Sequence, residues 1–138
     1  MNQERLKKVV AKSLQVEGFN RPAEVSIVLT DDEMIRELNK EYRGVDSPTD
    51  VLAFSQLEDK EVTYENDQVV LGDIIISVET AEKQAREHGH SLDDEISLLV
   101  AHGMLHLLGY GDQTEAQAAV MREHEKEILE QSNDGRSN

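Results

Sequence analysis

A chain of 138 residues suffices for one domain with a sizeable buried core. It has no cysteine, which excludes disulfides and thiolate metal sites and fits a reducing cytoplasm, and it shows neither a leader pattern nor an apolar run of ~18 residues, so membrane insertion and export are not expected. The formal charge of −15, from 29 acidic against 14 basic residues, argues against bulk electrostatic binding of duplex DNA or RNA.

The first element is a helix over Asn2 to Val16, with Leu6, Val9, Val10 and Leu14 at helical spacing and Gly18 as its stop. Alternation of Val25, Ile27 and Leu29 with Ser26, Val28 and Thr30 reads as a strand. Thr30-Asp-Asp-Glu33 has the form of a capping box and opens a second helix, whose Met34, Ile35, Leu38 and Tyr42 are expected to face the core. Gly44 to Pro48 breaks that helix, and Val51 to Phe54 forms a short strand. Glu58 to Asp67, with five acids against one lysine, reads as a solvated loop or hairpin. Val69 to Ser77 is the most apolar strand; Ser77 then caps a helix running through Glu87.

Ser91 caps a further helix over 92–108, apolar almost all round from Ile96 to Leu108 and therefore expected at the centre of the molecule. Thr114-Glu-Ala-Gln117 is another capping box, opening a last helix with Val120, Met121, His124 and Ile128 on one face. The domain is placed at 1–130, with residues 131–138 as a disordered tail. Helices and strands interleave without a regular βαβ rhythm. The expected class is α+β, a small mixed sheet covered by helices.

The central helix carries His102 and His106, four apart and so on one face. A single buried histidine is usually a satisfied core residue. Two on one apolar face are harder to satisfy, because each ring has two nitrogens to partner. Gly109 stops the helix and Asp112 follows on the returning chain, so two imidazoles and a carboxylate converge from one side and leave a fourth position open, as a hydrolytic zinc site needs. His124, on the apolar face of the last helix, is the rival third donor. His88 and His90 read as surface residues. The metalloprotease pattern H-E-x-x-H is absent: Gly103 stands where its glutamate would be, and suits close approach of another backbone.

Arg36, Lys40 and Arg43 share one helical face, a basic stripe in an acidic chain. By spacing alone, a solvated face with salt bridges accounts for it. Turn chemistry accounts for Asp46 and Ser47-Pro48, while Thr49 and Asp50 can cap or hydrogen-bond near the site. Asp73, inside the apolar strand, needs a partner; it either orients a ligand histidine or serves structure.

Three segments resemble one family. His102-Gly-Met-Leu-His-Leu-Leu-Gly-Tyr110, Tyr42-Arg-Gly-Val-Asp-Ser-Pro-Thr-Asp-Val-Leu-Ala-Phe54 and Leu71-Gly-Asp-Ile-Ile-Ile-Ser77 are similar to the signatures of the YbeY family, metal-dependent, single-strand-specific endoribonucleases of rRNA maturation. The resemblance covers about Pro22 to Leu129. The family pattern ends Gly-Tyr-Asp-His, its last histidine being the third ligand; here Gly111 and Asp112 occupy the last two positions. The resemblance implies one zinc ion on His102, His106 and Asp112, with Arg43 as the functional arginine beside it. It further implies a cytoplasmic enzyme whose partners are single-stranded rRNA and the small ribosomal subunit or its proteins. Two other readings remain at this point: a metallohydrolase of another substrate class, and a non-enzymatic ribosome assembly factor with a structural metal.

Overall fold

The computed structural model describes residues 2–57, 64–65 and 68–132. In chain order the elements are α1 (Gln3–Val16), β1 (Ala23–Thr30), α2 (Asp32–Arg43), β2 (Val51–Ser55), β3 (Tyr64–Glu65), β4 (Gln68–Ser77), α3 (Val78–His88), α4 (Leu92–Leu107) and α5 (Glu115–Ser132). The class is α+β, as expected. Strand β4 is central: β1 runs parallel along one side, while β2 and the short β3 pair antiparallel along the other. Most of the 58–67 loop lies outside the described residues, but the β3–β4 pairing bears out its hairpin alternative.

Alternation along β4 sorts the two faces of the sheet. Ile74 and Ile76 are fully buried and join the core cluster with Val9, Ile96, Val100, Met104 and Leu105. The opposite face receives α2. There Ile35 and Asn39 are buried, whereas Met34 and Tyr42, expected in the core, are 47% and 61% exposed. A helix lying over one end of a narrow sheet buries a thinner stripe than its apolar pattern suggests, and Tyr42 packs edge-on against Phe54 of β2 instead, ring centres 5.2 Å apart. The N-cap of α2 is Asp31, which accepts from the Met34 amide, one residue later than the capping box implied. Strand β1 holds Thr30 to the end of its ladder, so the helix cannot begin earlier. The Thr114–Gln117 box forms as read, with each side chain accepting from the other's backbone amide.

Helix α4 lies between the sheet, α1, α3 and α5. Ile96, Val100, Met104, Leu105 and Leu107 are all essentially buried, each worth about 1.5–3 kcal/mol of burial. Its start is tied down by Ser91, which accepts from the Asp94 amide, and by an Arg5–Asp94 ion pair from α1. At the other end Tyr110 N–H donates to the Leu105 carbonyl at 2.9 Å, closing the helix through Gly109 at φ +105°. Helix α5 continues through Ser132, which is buried, two residues past the domain end expected at 130; 133–138 lie outside the described residues. Among the described residues no helix is long and apolar enough to cross a membrane.

Two close approaches hold α4 and β2 against β4. At Gly72, where the β1–β4 register shifts, φ is +143° and an added Cβ would lie 2.1 Å from the Phe54 carbonyl oxygen. At Gly103 an added Cβ would meet Ile74 Cγ2 at 2.9 Å. The close neighbour of Gly103 is thus a side chain, not the backbone that the sequence suggested. Gly72→Ala should cost about 2–5 kcal/mol, from backbone strain and overpacking together, and Gly103→Ala about 1–3 kcal/mol. Urea unfolding of both variants checks this, and a Gly72→Ala midpoint equal to wild type would contradict the described bulge.

Candidate metal centre and its cleft

The axis of α4 places His102 above His106 on the one side its neighbours leave open. The ring centres are 4.6 Å apart, and the two Nε2 atoms face each other at 3.1 Å. The turn after Gly109 brings Asp112 back, its Oδ2 lying 3.5 Å from His102 Nε2 and 3.4 Å from His106 Nε2. Gln117 accepts from the Gln113 and Thr114 amides, fixing that turn to the start of α5.

The tautomer of His102 follows from its other nitrogen. Nδ1 is 2.6 Å from Glu125 Oε2, and an ionised carboxylate only accepts, so Nδ1 carries the proton and Nε2 turns its lone pair into the cleft. Glu125, on α5 and 8% exposed, thereby orients the ring from behind. Asp73, one candidate for that duty, is on the other face of the sheet, opposite Ile74. Burial, the largest influence on His102, pulls its pKa down, but the Glu125 hydrogen bond and the charges of Glu125, Asp112 and Asp50 together outweigh it. The net shift is upward from the ordinary histidine range. Protonation of the neutral ring occurs at Nε2, and a metal taken up here must compete with that second proton, so affinity falls as pH is lowered through the raised pKa.

The donor set fits a metal. Tetrahedral zinc, with bonds of about 2.0–2.2 Å, needs donors about 3.3–3.5 Å apart. The three edges of this triangle are 3.1, 3.4 and 3.5 Å. Two ring nitrogens and a carboxylate oxygen directed at one point are the donor types that zinc takes. The side chains are 27%, 29% and 44% exposed, so the centre is reachable from solvent on its fourth side.

His124 is elsewhere. Its Nδ1 is 2.6 Å from Glu17 Oε2, and Tyr110 donates to the same carboxylate. The Glu17 hydrogen bond, with burial and the Glu17 charge behind it, pushes the Tyr110 phenol up to about 12. This cluster ties α1 and α5 to the turn that carries Asp112, and removes His124 as a rival donor.

The triad opens into a cleft of about 750 Å³. Helix α4 and the 109–113 turn form one wall; the backbone of β2, Thr49-Asp50 and the end of α2 form the other. Ser55 Oγ donates to the Leu107 carbonyl at 3.0 Å and joins the two walls. Arg43, the last residue of α2, lines this cleft with an exposed side chain and no ion-pair partner among the described residues. Arg36 is held instead by Asp46 at 2.8 Å and lies outside the cleft lining, so the basic stripe divides into one structural and one available guanidinium. Asp50 Oδ1 accepts from the Val51 amide at 2.7 Å and borders the cleft. Two features escaped the sequence reading. Glu125 carries no motif, because its role depends on how α5 crosses α4. His88 and His90 are not simple surface residues: both contact the buried Glu95.

Comparison with known proteins gives a concordant result. Residues 1–133 match the family model described as endoribonuclease YbeY. A protein of that name from Desulforamulus reducens is 50% identical over 123 residues, covering 88% of this chain and 80% of its own. One from Pelotomaculum thermopropionicum is 46% identical over 124 residues, covering 90% and 82%. The solution structure of a Thermotoga maritima protein superposes with a TM-score of 0.58 at 26% identity, covering 99% of this chain and 91% of the other.

The donor assignment is open to direct test. His106→Ala should lose the metal of the cleft, Asp112→His should keep it, and His124→Ala should leave it unchanged. Glu125→Gln should weaken binding by about 10–100-fold through the freed His102 ring. Competition titration against a chromophoric chelator reads all four; loss of this metal in His124→Ala but not in Asp112→Ala would reverse the assignment.

Proposed function

Because the chain belongs to the YbeY family of endoribonucleases, we propose that its cleft cleaves single-stranded RNA, on the path of rRNA maturation, with one zinc ion held by His102, His106 and Asp112. The observation that carries this reading is the presence, in one cleft, of three converging candidate donors and a guanidinium without an ion-pair partner among the described residues. When bound, the metal supplies Lewis-acid activation of a phosphoryl oxygen and of water. The chain's own residues do the rest. Arg43 offers a planar fork for two phosphate oxygens and for the charge that builds on them in the transition state. Glu125 holds His102 in the tautomer that binds, and the exposed edge of the triad leaves room for the backbone of an extended strand.

Neither competing reading gains support. A peptidase of the H-E-x-x-H kind needs a glutamate at position 103, where even a Cβ meets Ile74 at 2.9 Å. A purely structural metal favours a closed shell of four protein donors, whereas these three are partly exposed. The charge of −15 makes naked duplex a poor ligand and suits a basic protein surface, which supports work in the cytoplasm on the small ribosomal subunit.

Arg43→Ala should leave metal content and melting temperature intact while single-strand RNA cleavage falls by ~10²-fold or more, the scale for one lost transition-state contact. Arg43→Lys should restore little, since a point charge does not replace a bidentate fork. Undiminished cleavage in Arg43→Ala would remove the residue from the site; a melting loss that accounts for the missing activity would make it structural.

A further inference from the structure

Outside the cleft, the joint between α3 and α4 gathers a second set of donors. His88 is the last residue of α3, Gly89 turns the chain, His90 follows, and Glu95 lies in the first turn of α4. The two rings converge on one oxygen: His88 Nδ1 is 2.9 Å and His90 Nε2 2.6 Å from Glu95 Oε1. That carboxylate is 1% exposed. A buried carboxylate is costly unless a positive charge faces it, and a cation shared by the two rings and the carboxylate would supply one.

We propose that His88, His90 and Glu95 form a second divalent metal site, separate from the cleft and independent of the endoribonuclease reading. Two imidazoles and one carboxylate select a borderline transition ion such as zinc, cobalt or nickel over magnesium or calcium. The three donor atoms lie within 4.8 Å of one another. The two His–Glu edges, at 2.9 and 2.6 Å, must open by about 0.4 and 0.7 Å to reach the about 3.3 Å that bonds of about 2.0–2.2 Å require. The histidines can make that movement. Their side chains are 51% and 31% exposed and flank a glycine turn, while the buried Glu95 stays fixed on its helix. A cavity of about 200 Å³ borders His88 and Glu95 and has space for water to complete the shell. The same cavity reaches His102 and Glu125, so this site would brace the helix that carries the cleft donors from its opposite end. The ion would act as a staple between α3 and α4.

The experiment uses the full chain, stripped of metal, dialysed against cobalt(II) and assayed for bound metal and visible absorption. Wild type should take two equivalents. The double variant His102→Ala/His106→Ala should keep one, and His88→Ala/His90→Ala should keep the other along with RNA cleavage. Cobalt should raise the melting temperature of His102→Ala/His106→Ala, and that rise should vanish when His88→Ala and His90→Ala are added. Should the paired surface variant not fold, His90→Gln in the His102→Ala/His106→Ala background replaces it, with the same loss of cobalt absorption expected. A single equivalent in wild type and none in His102→Ala/His106→Ala overturns the proposal. So does an equivalent that survives in the variant lacking all four histidines.

Discussion

An imidazole carried by a buried helix needs a partner for each ring nitrogen, and α4 carries two such rings along one side. The apolar faces of that helix are taken by the sheet, α1, α3 and α5, so the remaining polar demand is met from a single direction. This constraint sets where the other parts must be. Helix α5 crosses at the angle that brings Glu125 behind His102. The glycine turn after α4 is short enough to return Asp112 over both Nε2 atoms. Strand β2 then closes the open side at a distance, anchored by Ser55 on the Leu107 carbonyl, and the gap between them is the cleft.

Charge in this molecule is organised by pairing. All five histidines contact a carboxylate: His102 with Glu125 and Asp112, His106 with Asp112, His124 with Glu17, and His88 and His90 with Glu95. Arg5 and Arg36 are likewise spent on Asp94 and Asp46. Arg43, on the cleft wall, has no such partner among the described residues. In a chain of −15 it cannot steer a polyanion from afar, because within a Debye length the acidic surroundings oppose it. In the role proposed for it, its contribution is therefore local, made at contact with a phosphate that some other interaction has delivered.

Much of this was legible in the sequence because helical periodicity and capping residues act locally. The all-round apolar run of α4, the i, i+4 histidines, the stop at Gly109 and the Thr114–Gln117 box each need only a few neighbours to be recognised. What escaped depends on crossing geometry. Glu125 looks like any acid on an amphipathic helix until α5 is laid across α4. Glu95 reads as a first-turn acid favoured by the helix dipole, and nothing local reveals that it is buried beneath two histidines. Tyr42 and Met34 failed in the opposite sense: their spacing is right for a core stripe, but the sheet beneath α2 is too narrow to cover it.

Gly103 connects packing to reaction class. The tight contact with Ile74 that seats α4 on β4 leaves no volume for a side chain at the position where helix-borne zinc hydrolases keep their glutamate. Among the described residues, the other carboxylates near the cleft are engaged: Asp112 with the two donor rings, Glu125 with His102, and Asp50 with the Val51 amide. A site so furnished is poor at amide hydrolysis, where a dedicated group must move the proton between water and leaving nitrogen. Phosphoryl transfer makes a different demand. Its transition state asks mainly for alignment and for cationic groups around the equatorial oxygens, with little covalent chemistry from the protein. On the proposed reading, the three candidate donors and Arg43, without an ion-pair partner among the described residues, meet that demand without a base on the helix. The contact that stabilises the core is thus the same one that turns the cleft from peptides toward phosphodiesters.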